Sequence, residues 1–248
     1  MMTSNPWRPD AIVLSCEHAG RDVPPEYRPR FRGAGETLRS HRGWDPGSLG
    51  IALQLAANLG APLHVTTATR LLVDPNRSED QPDLFSEFTR GLGECDRAEI
   101  LARYHTPHRA GVERTIRAHT DAGRRVLHVG VHTCVDELHN QRRELDCAFL
   151  FDPARAHEHE LCARWRDALL AAHPAIRAPF NRPYLGTDDG LTTALRARLP
   201  APLYAGIELE ARQGYVRSRA AQRGLADRLT AALLDATRFE LSSPEPGP

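Results

Sequence analysis

Glu17 and His18, Arg70, Asn76 and Arg77, His132, and Glu208 with Glu210 each stand at or just past the end of an apolar run. Two imidazoles and several carboxylates placed this way suit a divalent metal ion. Zinc takes neutral imidazole nitrogens and carboxylate oxygens, and a catalytic centre keeps one position for water. His18 and His132 are the candidate imidazoles, each expected just past a buried strand. The third ligand is expected to be an acid. Asp45, at a helix start soon after the His18 loop, is preferred to Glu17, because adjacent residues rarely aim at one ion. Each residue also has an ordinary reading. Among 12 histidines a loop imidazole is easily met by coincidence. Asp45 is a natural helix N-cap with Pro46 at the first helical position, and Asn76 can hold a turn after Pro75. A glutamate inside an apolar strand is costly unless paired, so Glu208, between Ile207 and Leu209, is expected to meet an arginine or face a cleft. Glu210 shares its face by strand alternation. In Tyr104-His105-Thr106-Pro107-His108-Arg109 the two histidines have a metal-like spacing, but the proline between them spoils the geometry. They are expected to touch substrate or to support the ligands.

Other chemistries find no motif. Neither GxGxxG nor GxxxxGK[ST] occurs, and there is no GxSxG elbow. All 32 basic residues are arginine, so no lysine is present for a Schiff base. Cationic substrate contacts must be guanidiniums, which suit carboxylates. The formal net charge of +0 gives no field to draw in nucleic acid, and no apolar run approaches the ~20 residues of a membrane span. Five scattered cysteines without a CxxC pair suggest a reducing compartment, hence a cytoplasmic protein. The partner expected is a small molecule; oligomeric state is not readable.

The elements that must position these residues follow from periodicity. The segments 11–16, 62–68, 125–131, 147–151 and 204–209 read as strands, 11–16 by its continuous apolar character as one covered on both faces. Helical patterns cover about 49–59, 108–122, 157–172, 189–199 and 218–238. A short strand with a loop is expected within 175–183, and an acidic loop with a short helix within 79–100. The alternation predicts an α/β fold, a three-layer αβα arrangement around a mostly parallel, mixed sheet, as one domain over 1–248 with a disordered tail at about 240–248. In such sheets ligands bind beyond the carboxyl ends of the strands, where the polar residues fall.

The ordered motifs Ser15-Cys16-Glu17-His18-Ala19-Gly20, Gly43-Trp44-Asp45-Pro46-Gly47, Arg70-Leu71-Leu72-Val73-Asp74-Pro75-Asn76-Arg77-Ser78, Val129-Gly130-Val131-His132-Thr133 and Glu210-Ala211-Arg212-Gln213 resemble the N-formylglutamate amidohydrolase family, over about residues 11–235. That family looks related to zinc carboxypeptidases, aspartoacylases and muramoyl-alanine amidases. The resemblance implies a zinc-carboxypeptidase-like, phosphorylase/hydrolase-like sheet and Zn2+ held by His18, Asp45 and His132. It implies a substrate carboxylate gripped by Asn76 and Arg77; Arg70 or Arg182 is expected as a helper, and His105 and Arg212 as further substrate contacts. It also implies a general base at Glu210, or at Glu208 as the fallback. The activity implied is hydrolysis of N-formyl-L-glutamate to formate and L-glutamate, a step of histidine degradation. The alternatives are a carboxypeptidase- or aminoacylase-like hydrolase of another amide, and a non-catalytic binding protein on the same fold. Thr133-Cys134 replaces the serine-aromatic pair common in relatives, and Gly214 stands where they often have aspartate.

Overall fold

The fold comes from a computed structural model that describes residues 6–239; the tail expected at 240–248 lies outside them. Its strands are β1 Ala11–Cys16, β2 Leu63–Val65, β3 Val126–Cys134, the hairpin pair β4 Glu137–Leu138 and β5 Gln141–Arg142, β6 Cys147–Leu150, and β7 Tyr204–Arg212. The main sheet runs β2-β1-β3-β7-β6. The first four of these are parallel, and β6 closes the edge antiparallel to β7. Helices α1 Gly35–Arg39, α2 Ser48–Leu59, α3 Glu94–Ile100, α4 Thr106–Thr120, α5 Ala156–Ala172, α6 Leu191–Arg198 and α7 Arg219–Thr237 complete the α/β architecture. No helix among the described residues is long and apolar enough to cross a membrane.

The central strands are buried on both faces, which is why β1 reads as a nearly unbroken apolar run, while β3 and β7 carry their histidines and glutamates on one face only. One face carries Ile12, Leu14, Leu127, Val129, Val131, Ile207 and Leu209. It packs on Ile51 and Leu55 of α2, Trp165 and Leu169 of α5, and Leu225, Leu229 and Leu233 of α7. Each such side chain stabilises the fold by roughly 1.5–3 kcal/mol relative to exposure. The opposite face meets α4 and α6 through a much smaller cluster, Val13, Val112, Ile116, Leu191, Leu195 and Tyr204 among it. The same strands set Ser15, His128, His132, Glu208 and Glu210 on that face. A third cluster, including Tyr27, Phe31, Leu71, Leu72, Leu84 and Ile100, binds the segments after β1 and β2 to each other.

Helix ends follow their local chemistry. Gly60 closes α2 with φ 60, and Ser218 caps α7 by accepting a hydrogen bond from the Ala221 amide at 3.1 Å. Several expectations are corrected. The stretch expected as a strand over 62–68 is a strand only at Leu63–Val65, with one further bridge from Ala68 to Asp22. The strand expected within 175–183 is reduced to a single bridge, Phe149 to Phe180. Both β3 and β7 run past their expected ends, because they pair with each other as far as Cys134 and Arg212. His132 and Glu210 therefore lie inside the sheet rather than beyond it.

Candidate active site

His18 stands two residues past β1, and its carbonyl accepts the Asp45 amide at 2.9 Å. That bond ties the Asp45 loop to the end of the strand. Gly20 lets the β1 loop pass against Thr67, whose carbonyl oxygen would lie 2.4 Å from any Cβ placed there. The loop at Gly43 is held in turn by the Arg70 amide and the Thr69 hydroxyl, both donating to the Gly43 carbonyl. These clamps bring residues from three stretches of chain to one place.

The expected capping role of Asp45 is not used. Gly47, with φ 95, precedes α2, and the Asp45 carboxylate turns away from the helix. Its Oδ2 lies 3.3 Å from His18 Nδ1 and 3.1 Å from His132 Nδ1. The three residues are buried and offer donor atoms all within 4.8 Å of one another. The outer nitrogens have other acids: His18 Nε2 is 2.7 Å from Asp74 Oδ1, and His132 Nε2 is 3.3 Å from Glu17 Oε2. A carboxylate on the far nitrogen fixes ring orientation and tautomer and leaves the near nitrogen to ligate. Glu17, the rival third ligand, thus sits behind His132, and its Oε1 accepts from His108 Nε2 at 3.2 Å.

Charge fits the same reading. Three buried carboxylates, Glu17, Asp45 and Asp74, face one guanidinium, Arg70, which reaches Asp74 at 2.6 Å and Asp45 at 3.5 Å. With neutral rings this leaves two negative charges uncompensated (three minus one), a balance that a divalent cation meets. Without one, the rings take up the charge. Against the cost of burial, hydrogen bonds to Asp45 and Glu17 hold His132 protonated well above its usual range. Burial opposes ionisation of Asp45 as well, but the neighbouring His18, the His132 hydrogen bond and Arg70 keep it well below the carboxylate range.

Beside this centre lies a cavity of about 170 Å³, bounded among others by Asn76, Arg77, Tyr184, Glu208 and Glu210. Glu210 is the register partner of His132 on the neighbouring strand. Burial pushes its carboxyl up to about 8; the charges of Asp45 and Glu208 add to this, while His132 and Arg143 oppose it. Glu208 is less buried and accepts a hydrogen bond from the Thr192 hydroxyl at 3.0 Å. Asn76 is set by an Asx turn, its amide donating to Asp74 Oδ1 at 2.9 Å, and its Oδ1 accepts the Leu191 amide. Its side-chain NH2 remains as a donor. Arg77 reaches the Asp189 carbonyl at 3.1 Å and Asp83 at 3.3 Å.

Some expected substrate contacts are not brought here. Arg212 turns to Asp136, Asp146 and the Leu145 carbonyl, because β7 ends there against an acidic loop. Gly214 lies in the turn after β7, its amide donating to Asp136 of that loop at 2.8 Å. Arg182 is exposed and does not bound the cavity. His105 lies behind the cavity, with Nε2 2.8 Å from the Arg77 carbonyl, so it supports that residue rather than a ligand. Arg70 bounds the cavity but is occupied by two carboxylates. His108, expected to touch substrate or to support the ligands, stands behind Glu17; Asp74, His41, Arg143 and Tyr184 received no role from the sequence. Asp74 carried a signal, since it opens the Asp-x-Asn-Arg segment.

Comparison with known proteins bears on this geometry. The sequence profile of the N-formylglutamate amidohydrolase family matches residues 10–217. A solved gene product of Agrobacterium tumefaciens is 25% identical and superposes with a TM-score of 0.77, covering 92% of this chain and 91% of that one. The N-formylglutamate amidohydrolase of Ralstonia eutropha JMP134 shares the fold at 18% identity and a TM-score of 0.66, with 94% of each chain covered. No curated protein matches the chain significantly. With the profile spanning most of its length, the chain belongs to the N-formylglutamate amidohydrolase family and is a hydrolase of amide bonds.

Proposed function

We propose that this protein is a zinc-dependent amidohydrolase that cleaves the amide of an N-acyl acidic amino acid, foremost N-formyl-L-glutamate, to give formate and L-glutamate. The observation that carries this reading is the convergence of His18, Asp45 and His132, with Glu17 and Asp74 behind the two rings and Glu210 beside them. The donor set of two imidazoles and a carboxylate is one that zinc takes. Bound there, zinc would supply Lewis acidity for the scissile carbonyl and acidify the attacking water.

The remaining work falls to the chain. Glu210 takes a proton from the attacking water and returns it to the leaving amine nitrogen, so the carboxylate is regenerated when the C–N bond breaks. Burial in the cavity wall favours that task by raising its proton affinity. Asn76 and Arg77 grip the α-carboxylate through the amide NH2 and the guanidinium. Asp189 and His105 hold Arg77 in place, through its side chain and its carbonyl respectively. A cavity of about 170 Å³ suits a single amino-acid derivative better than a peptide strand. The free, mostly buried cysteines suit the cytoplasmic location inferred from their pattern.

The test is a hydrolysis screen over N-formyl, N-acetyl and longer-acyl amino acids, with chelator and zinc re-addition. The expected result is best turnover of N-formyl-L-glutamate, lost with chelator and restored by zinc. Turnover restricted to another acyl group would replace the substrate. No turnover of any amide by zinc-loaded protein would leave only binding.

A further inference from the structure

Arg143, just after β5, is 8% exposed, yet no carboxylate pairs with it among the described residues. Its Nη2 donates to the Tyr184 hydroxyl at 2.9 Å, its guanidinium lies 5.0 Å from that ring, and its Nη1 is buried without a partner. An uncompensated guanidinium out of water is costly, and a bound anion offsets the cost. Tyr184 bounds the cavity, and so do Glu210 and His41, both of which feel the Arg143 charge. Of the two arginines that bound the cavity, Arg70 is taken up by Asp74 and Asp45, and Arg77, held by Asp83 and the Asp189 carbonyl, is the one assigned to the α-carboxylate. Because Arg143 donates to the Tyr184 oxygen, the phenolic hydrogen is left to donate onward.

We infer that Arg143 and the Tyr184 hydroxyl form the subsite for the side-chain carboxylate of the acylated amino acid, so that they set the preference for an acidic residue. This rests on the amidohydrolase reading above. Asn76 and Arg77 would hold the α-carboxylate; a dicarboxylic substrate needs a second cation, and Arg143 is the one without a protein counter-charge. The cation–π contact with Tyr184 keeps the guanidinium in place in the absence of ligand.

The test compares kcat/KM for N-formyl-L-glutamate and N-formyl-L-glutamine, nearly equal in shape, in zinc-loaded parent, Arg143→Met, Arg143→Lys and Tyr184→Phe. The parent should prefer the acid by on the order of 100-fold or more. Arg143→Met should abolish most of that preference by raising KM for the acid, with the glutamine substrate changed only a few-fold. Arg143→Lys should keep part of the preference, and Tyr184→Phe should lose about tenfold on the acid alone. Equal losses on both substrates, or a preference intact in Arg143→Met, would overturn the assignment. If neither formyl compound is turned over, calorimetry with L-glutamate and L-glutamine separates the two ideas. The subsite then requires tighter glutamate binding in the parent and no difference in Arg143→Met; equal binding in the parent would refute it.

Discussion

The two faces of the central sheet are made by alternate residues of the same strands, yet they do different work. On β3, Leu127, Val129 and Val131 point into the large apolar cluster under α2, α5 and α7, while His128 and His132 point the other way. On β7, Ile207 and Leu209 oppose Glu208 and Glu210 in the same manner. A period of two thus lets one strand stabilise the domain on one side and present chemistry on the other. Part of the polar face is satisfied by its own hydrogen bonds, while His132 Nε2 and Glu17 Oε2 meet only as a 3.3 Å charge pair. Ser15 Oγ lies 2.8 Å from His128 Nε2, and His128 Nδ1 lies 2.9 Å from the Tyr204 hydroxyl.

Substitutions should separate the two faces. The largest effect is expected at Glu210: Glu210→Gln should cut kcat by roughly 10³-fold while zinc content and stability hold. Should Glu208→Gln do this instead, the base moves one residue pair along β7. On the packed face, Leu127→Ala should cost roughly 2–5 kcal/mol in denaturant unfolding, with zinc content per folded chain unchanged; lost metal there would blur the division.

Acid should reach the polar face first. Burial lowers His128 from 6.5 to about 4, so the folded state keeps it neutral where the unfolded chain takes a proton. Stability contributed by this depressed group is present above pH 6.5 and is lost as pH falls towards 4, by on the order of 3 kcal/mol. Denaturation curves across that range should be flatter for His128→Asn than for the parent; parallel slopes would remove His128 from the acid response. The smallest effect is expected behind the ligands. Glu17→Gln should weaken zinc binding about 10- to 100-fold in competition with a chelating dye, with the metal still bound at saturation.

Much of this was legible in the sequence because it rests on local patterns. The strand runs, the helical patterns and the polar residues past β1 all follow from short-range periodicity. Partnerships across the chain were not. His18 meets Asp74 56 residues away, and Glu17 meets His108 91 residues away. No local signal says which side of a histidine a distant acid will reach. The direction of β6 is equally silent, since Cys147-Ala148-Phe149-Leu150 would be as apolar in a parallel strand. Arg212 shows the limit of motif reading: it sits in a family-like segment, but the end of β7 against Asp136 and Asp146 aims it away from the cavity.

The most direct measurement is metal content by mass spectrometry of the purified protein and of His18→Ala, Asp45→Ala and His132→Ala. The polar face as a metal centre requires about one zinc per chain in the parent and its loss in all three variants with the fold retained by circular dichroism. Stoichiometric zinc persisting in the folded histidine variants, or none in the parent after growth and dialysis with zinc, would contradict it.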